Sequence, residues 1–252
     1  MSPSLHQPLA GKTILITGAT SGLGEHFCSL LKTQGARVIG LARRPLPEGS
    51  VDVAIQADIT DPQSIHQALS QALGSPGSKE TIYGLVNNAG IAVTAALHET
   101  SAEDEQRVLL TNISGITTMT REIVPHLRAA GGGVIVNIAS VLGIRPLKKA
   151  AIYSASKAAV IQMTRSAAIE LVKDKIRVNA LAPGYVETAL VADLLARGRL
   201  DGAAIQHRSP QRRLVQPREV AAMALFLASP AASSVNGALV SVDGGWTANG
   251  AP

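Results

Sequence analysis

Seven short runs of apolar, largely β-branched residues punctuate the chain, at Thr13–Thr17, Arg37–Leu41, Val53–Ala57, Ile82–Val86, Val134–Ile138, Ile176–Leu181 and Leu239–Val242. Runs of this length without polar alternation fit strands covered on both faces. Between them the sequence turns to helical spacing. Strands that alternate with helices predict right-handed crossovers, and so an α/β fold: a doubly wound, seven-stranded parallel sheet with helices on both faces.

The helical segments carry their own boundary signals. Gly22–Gln34 has apolar residues at 3.6 spacing, Asp61-Pro62 offers a cap and a first-turn proline, and Ser101–Arg128 opens with Ser-x-x-Asp. Two more helices are expected at Tyr153–Lys173 and Pro217–Ala228. Residues 186–216 form a long insertion with mixed signals, a candidate lid, while Gly74–Lys79 and Gly131–Gly133 read as turns. At 252 residues without a linker or repeat, the chain is expected to be one domain, residues 1–252.

Composition narrows the functional classes. Hydrophobic residues are 46% and charged residues 16%, enough for a sizeable core, and a 2% aromatic content removes any base-stacking platform. The net charge of +5 is scattered apart from Arg43-Arg44, Arg145 to Lys149 and Arg208 to Arg213, so no nucleic-acid partner is expected. Met1 to Ala10 is polar and no apolar stretch could span a bilayer, which predicts a soluble, unprocessed, cytoplasmic protein with no membrane partner. Cys28, the single cysteine, falls on an apolar helical face and suits a reducing compartment. His6, His26, His66, His98, His126 and His207 lack paired spacing, so no metal site is expected and they read as surface or capping residues.

The first strand runs directly into Thr17-Gly-Ala-Thr-Ser-Gly-Leu-Gly24, which opens a helix. Gly18, Gly22 and Gly24 permit a tight turn and close approach of backbone to a pyrophosphate at the positive helix terminus, with Thr20, Ser21 and Leu23 in the same stretch. That context predicts a dinucleotide-binding Rossmann fold. The second strand ends in Ala42-Arg43-Arg44 where an acid would accept from a ribose 2′-hydroxyl. Arg43 and Arg44 would instead pair with a 2′-phosphate, so NADP(H) is favoured over NAD(H).

Tyr153 and Lys157, four residues apart at the start of a predicted helix, share one face and can reach one ligand. An ammonium and an oxidised nicotinamide near the phenol would favour phenolate and lower its pKa, which suits Tyr153 to general acid/base work. Ser140, just beyond the fifth strand, would place a hydroxyl donor at a strand's carboxyl end.

The spacing Gly18, Gly22, Gly24, with Asn87-Asn-Ala-Gly90 and Ser140–Tyr153-x-x-x-Lys157, resembles the short-chain dehydrogenase/reductase family over Lys12 to Trp246. The resemblance implies a catalytic tetrad of Asn112, Ser140, Tyr153 and Lys157. In that tetrad Asn112 would disturb its helix locally and hold a relay water, although an interior Asn can equally serve only the backbone. It also implies that Asn88, Ala89 and Gly90 border the cofactor ribose, with Asn side chains tying strands, and that Asp58-Ile59 lies beside the adenine. Asp58 is equally readable as a helix cap for Pro62. Pro183, Gly184, Val186 and Thr188 would contact the nicotinamide carboxamide, though Pro183 would also simply end a strand. Val242-Asp-Gly-Gly245 would lie near a subunit interface.

The expected activity is hydride transfer between nicotinamide and a small or medium carbonyl or alcohol, within walls at Ile91–Leu97, Val141–Lys149 and Tyr185–Arg199. Arg145, Lys148 and Lys149 leave an acidic substrate open. Reduction of carrier-bound 3-oxoacyl chains, with Arg128 as a basic contact, is the alternative, and a non-catalytic NADP-binding sensor a second one. The family resemblance implies a homotetramer, with a dimer as the other assembly.

Overall fold

In a computed structural model, residues 7–78, 81–198 and 200–249 are described, with nothing stated for the side chain of Leu190. The readings made for Met1–His6, Lys79 and Arg199 lie outside them. Seven parallel strands form one sheet: β1 (Thr13–Thr17), β2 (Arg37–Ala42), β3 (Val53–Gln56), β4 (Ile82–Asn87), β5 (Gly133–Ile138), β6 (Ile176–Pro183) and β7 (Leu239–Val242), in the order β3-β2-β1-β4-β5-β6-β7. Strand order reverses between β1 and β4, so a crevice opens at their carboxyl ends, the usual ligand position in such sheets.

Side-chain alternation divides the core. Ile14, Ile16, Val86, Val134 and Val136 face one side, with Phe27, Cys28 and Leu31 of α1 (Leu23–Thr33). Beside them pack Val220, Ala224 and Leu227 of the C-terminal helix, Pro217–Ala228. Leu15, Ile39, Leu85 and Ile135 face the other side, against Ile65, Leu69 and Leu73 of α2 (Pro62–Leu73). Cys28 is buried, and burial pushes its thiol up to about 12, so it packs as a small apolar residue.

Asp61 caps α2, accepting from the main-chain N–H groups of Gln63 and Ser64 at 2.9 and 3.2 Å. The reading of Asp58 as that cap is therefore corrected: its Oδ1 accepts from the N–H and hydroxyl of Thr60, at 2.9 and 2.8 Å, and holds its own loop.

The helix expected at Ser101–Arg128 is not uniform. It comprises α3 (Ala102–Leu109), a π-helical turn at Leu110–Ser114 and α4 (Gly115–Ala129). Ser101 caps α3 by accepting from the N–H of Asp104 at 3.1 Å. The helix α5 spans Ala151–Glu170 and starts two residues earlier than its sequence signal. Within 186–216 the chain forms α6 (Ala189–Ala196) and α7 (Gly202–Arg208), and Pro217–Ala228 is α8, as expected.

One histidine departs from the surface reading. His26, His66, His98 and His207 are exposed, but His126 is 8% exposed in the last turn of α4, and burial pushes its pKa down. Leu127 and the apolar positions around it carry His126 inward with the helix. Among the described residues no cluster of His, Cys, Asp and Glu could hold a metal, and no helix is long and apolar enough to cross a membrane.

Candidate active site

The turn after β1 places glycine where a side chain cannot fit. A Cβ on Gly18 would lie 2.9 Å from the Cα of Ala89, and one on Gly24 would lie 2.1 Å from the carbonyl oxygen of Gly18. Gly22 is the N-cap of α1 at φ 58° and offers no side-chain acceptor, so the first N–H groups of the helix are free of a side-chain cap. A backbone cradle at a helix N-terminus suits a pyrophosphate. Thr20 is half-buried, Ser21 is exposed and Leu23 packs against the core.

The Asn residues after β4 lock this cradle to the neighbouring strands. Asn87 Nδ2 donates to Asn137 Oδ1 on β5 at 2.9 Å, and Asn88 Nδ2 donates to the carbonyls of Thr17 and Gly18 at 3.0 and 3.2 Å. The Thr17 hydroxyl accepts in turn from the N–H groups of Asn88 and Ala89, both at 3.0 Å. Gly90 leaves room for the next pair of residues: a Cβ there would sit 3.2 Å from Asn112 Oδ1 and 3.3 Å from Lys157 Nζ.

Around the rim, Arg43 and Arg44 are exposed at the end of β2, and an Arg43 nitrogen is 3.9 Å from Asp58 Oδ2. Ile59 is buried against Gly115, so only its main chain can border a ligand. Pro183 ends β6, and Gly184 approaches Asp243 so closely that a Cβ would lie 3.0 Å from its Cα. Val186 is buried, while Thr188 caps α6 and lies 3.8 Å from where a Cβ on Gly22 would be. The segment after β6 thus closes over the glycine turn.

Asn112 sits in the π turn and is fully buried. Its Oδ1 accepts from the N–H of Ile91 at 2.9 Å, and its Nδ2 donates to the carbonyl of Ile91 at 2.9 Å and to Ser156 Oγ at 3.0 Å. Ser156 Oγ donates to the carbonyl of Tyr153 at 2.7 Å. Lys157 Nζ donates to the carbonyl of Ile138 at 2.8 Å and lies 5.9 Å from the centre of the Tyr153 ring. Ser140 stands close enough to Tyr153 to favour its phenolate, and its Oγ accepts from the N–H of Leu142 at 3.1 Å. The four residues of the expected tetrad therefore converge from the helix holding the π turn, from the end of β5 and from α5.

Among the chain's own groups, burial dominates the electrostatics of the tyrosine and the lysine. Burial outweighs the contact with Ser140 and raises the Tyr153 phenol, with Tyr185 adding to the rise, while burial pushes Lys157 down to about 8. Within the chain's own groups the phenol is thus held in its protonated form, not lowered by the lysine, because removing a phenolate from water costs more than these partners return.

Three contributors were not singled out from sequence. Ser156 is an ordinary serine at helical spacing, and only its contact with Asn112 distinguishes it. Gly143 lets the turn after Ser140 touch α5, since a Cβ there would lie 2.7 Å from the main-chain carbon of Lys157. Tyr185 adjoins the Pro-Gly pair after β6, an aromatic in a chain with few, and that scarcity was a usable signal.

The family model described as enoyl-(acyl carrier protein) reductase matches residues 18–247. The chain belongs to the short-chain dehydrogenase/reductase family. It is 40% identical to a cis-4-hydroxycyclohexanecarboxylate dehydrogenase of Sinomonas cyclohexanicum over 96% of this chain and 99% of that one. Its fold superposes with TM-score 0.88 on a Beutenbergia cavernae protein proposed to be an NAD(P)-dependent gluconate 5-dehydrogenase, with NADP bound at low occupancy, at 36% identity over 95% and 98% of the two chains. A 3-ketoacyl-(acyl-carrier-protein) reductase of Brucella melitensis complexed with NADH matches with TM-score 0.84 at 34% identity over 94% and 99%. This short-chain dehydrogenase/reductase is an oxidoreductase of alcohols and carbonyls that uses a nicotinamide cofactor.

Proposed function

We propose that the chain is one catalytic domain that reduces small or medium ketones, or oxidises the matching secondary alcohols, with NADP(H) favoured over NAD(H). The observation that carries this reading is the joining of Asn112, Ser156 and the Tyr153 main chain beside a Lys157 held at 2.8 Å from Ile138. The NADP(H) preference is supported by Arg43 and Arg44 at the end of β2.

The bound dinucleotide would supply or take the hydride. In reduction, Ser140 and Tyr153 donate hydrogen bonds to the carbonyl oxygen, and the protonated phenol, held so by burial, releases its proton to that oxygen. Lys157, pushed down to about 8, exchanges protons near neutral pH and restores the phenol, while Asn112, its amide committed to Ile91 and Ser156, fixes the π turn beside them. Residues 186–216 serve as the substrate loop, anchored where Val186 bridges Val215 and the Val215 N–H donates to the Tyr185 carbonyl at 2.9 Å.

The carrier-protein alternative is weakened at the residue invoked for it. Arg128 is paired with Asp174 at 2.8 Å, which neutralises that part of the surface. A homotetramer in the cytoplasm is the assembly and compartment that accompany this reading.

The deciding measurement compares NADPH and NADH oxidation by the purified protein across aryl ketones, diketones, keto sugars and 3-oxoacyl esters, with Tyr153→Phe as control. NADPH-dependent turnover that disappears in the variant is expected. Faster NADH turnover would overturn the cofactor preference, and tight NADPH binding without any turnover would favour a sensor.

A further inference from the structure

The last residue of α7 brings two orphaned donors together. The Arg208 guanidinium stacks over the Trp246 ring at 4.1 Å, and among the described residues neither the Nε of Arg208 nor the Nε1 of Trp246, both buried, has a hydrogen-bond partner. Both groups can only donate, so the missing partner is an acceptor. The stack is also a held position. Asn249 Nδ2 donates to the Arg208 carbonyl at 3.0 Å, and the neighbouring Ser209 hydroxyl and Gln211 N–H both reach the Gly244 carbonyl, at 3.3 and 3.2 Å.

Tyr185 connects this position to the reacting groups. It lies close enough to Tyr153 to oppose ionisation of that phenol, and Arg208 lies close enough to Tyr185 to favour its phenolate. Packing joins the two as well: Ser209 and Gln211 hold Gly244, and the adjacent Asp243 packs against Gly184, next to Tyr185.

Of the expected walls, Ile91–Leu97 carries no ionised group, and Arg145, Lys148 and Lys149 are exposed with no ion-pair partner among the described residues. Asp243, in the segment that carries Trp246, is held by the N–H groups of Gly245 and Thr247 and by the Thr247 hydroxyl. Of the acids following β6, Asp193 is paired with Arg197 and Glu219 with Arg213, whereas Glu187 accepts from the neutral Gln216 amide and keeps its charge.

We infer that Arg208 is a specificity-determining residue that receives a carboxylate carried by the substrate away from its reacting carbonyl, which makes keto acids and hydroxy acids the preferred class. The planar guanidinium, pre-oriented on Trp246, presents its donors in the fork that suits a carboxylate. This inference rests on the reading of Tyr153 as the group at the carbonyl oxygen.

The test uses 4-oxocyclohexanecarboxylate and its methyl ester as matched ketones, with wild type, Arg208→Met and Arg208→Lys. Wild type is expected to favour the acid by about 10–100-fold in kcat/KM, the range of one charge-assisted bond, mostly through KM. Arg208→Met should lose that preference while keeping ester turnover, and Arg208→Lys should retain part of it. Equal use of acid and ester by wild type overturns the inference without needing any variant to fold. So does an acid preference that survives in Arg208→Met, or an equal loss on both ketones. Calorimetric titration of cyclohexanecarboxylate into NADP+-saturated protein separates the two readings. Binding that depends on Arg208, with no ketone turned over, keeps the anion subsite and sinks the reductase reading, while turnover of the ester without any binding of the acid does the reverse.

Discussion

Asn112 Nδ2 donates to Ser156 Oγ across 3.0 Å, joining a π turn on one helix to the first turns of another. An ordinary α-helix advances 100° per residue, and the extra residue in the π turn shifts the side chains beyond it. Asn112 thereby reaches Ile91 and Ser156 at once, while Ile116 and Met119 beyond the turn still face the core. Both partners are fully buried, so water has no access to replace either bond.

Ser156→Ala should expose the value of this link. It leaves one Asn112 N–H without its acceptor at a cost of about 1–2 kcal/mol, or a Tm lower by roughly 2–8 °C for a domain of this size. Because Tyr153 loses a support rather than its hydroxyl, kcat should fall by roughly 3–10-fold with the KM for NADPH unchanged. Thermal unfolding and steady-state kinetics check both, and an unchanged kcat would make Ser156 purely structural.

Gly143→Ala should be the more damaging change. Its Cβ would meet main-chain atoms of Lys157 and Ala158 at 2.7–2.9 Å, which cannot swing aside as a side-chain tip can. Either the turn holding Ser140 or the start of α5 must move. Turnover is expected to drop by about 100-fold while NADPH, bound chiefly at the other side of the crevice, keeps its Kd to within about threefold in a fluorescence titration.

Arg43→Ala should raise the KM for NADPH by about 10–100-fold, the loss of a charge-assisted contact to a phosphate, and leave NADH kinetics nearly unchanged. Arg43 is exposed and its carboxylate neighbour Asp58 is 3.9 Å away, so the fold should tolerate the change. A uniform effect on both cofactors would refute a 2′-phosphate role.

Stability should depend on pH through Lys157. Its folded-state pKa, about 8, lies below the ordinary lysine value of 10.5, so between those pH values the unfolded chain binds more protons. Stability from this group therefore rises as pH increases from about 8 to 10.5, by about 2–3 kcal/mol, and is absent below that window. Denaturant unfolding of wild type and Lys157→Met at pH 7.5 and 10.5 isolates it. The variant should lack the rise, and an equal rise in both proteins would remove Lys157 as its source.

Much of this molecule was readable one segment at a time. β1, β7 and α8 begin and end where their sequence signals do: β1 is buried throughout and reads as an apolar run, and Pro217 at a first turn marks the start of α8. Gly18 and Gly24 were legible because a backbone that must approach another backbone tolerates no Cβ, and Gly22 because its φ of 58° suits glycine. The meeting of Tyr153 with Lys157 needed only helix periodicity.

Other features depend on what the fold brings from a distance. The break in the helix at Leu110–Ser114 was implied only by the family resemblance at Asn112 and not by helix propensity, because it is held by bonds from Asn112 to Ile91 and Ser156, 21 and 44 residues away. Burial, likewise a property of the assembled fold, raised Tyr153 against its contact with Ser140 and lowered His126. Periodicity and steric exclusion are properties of neighbouring residues and survive in the chain itself. Solvation and long-range hydrogen bonding exist only once the elements have packed, and the placement of Arg208 on Trp246 was decided there.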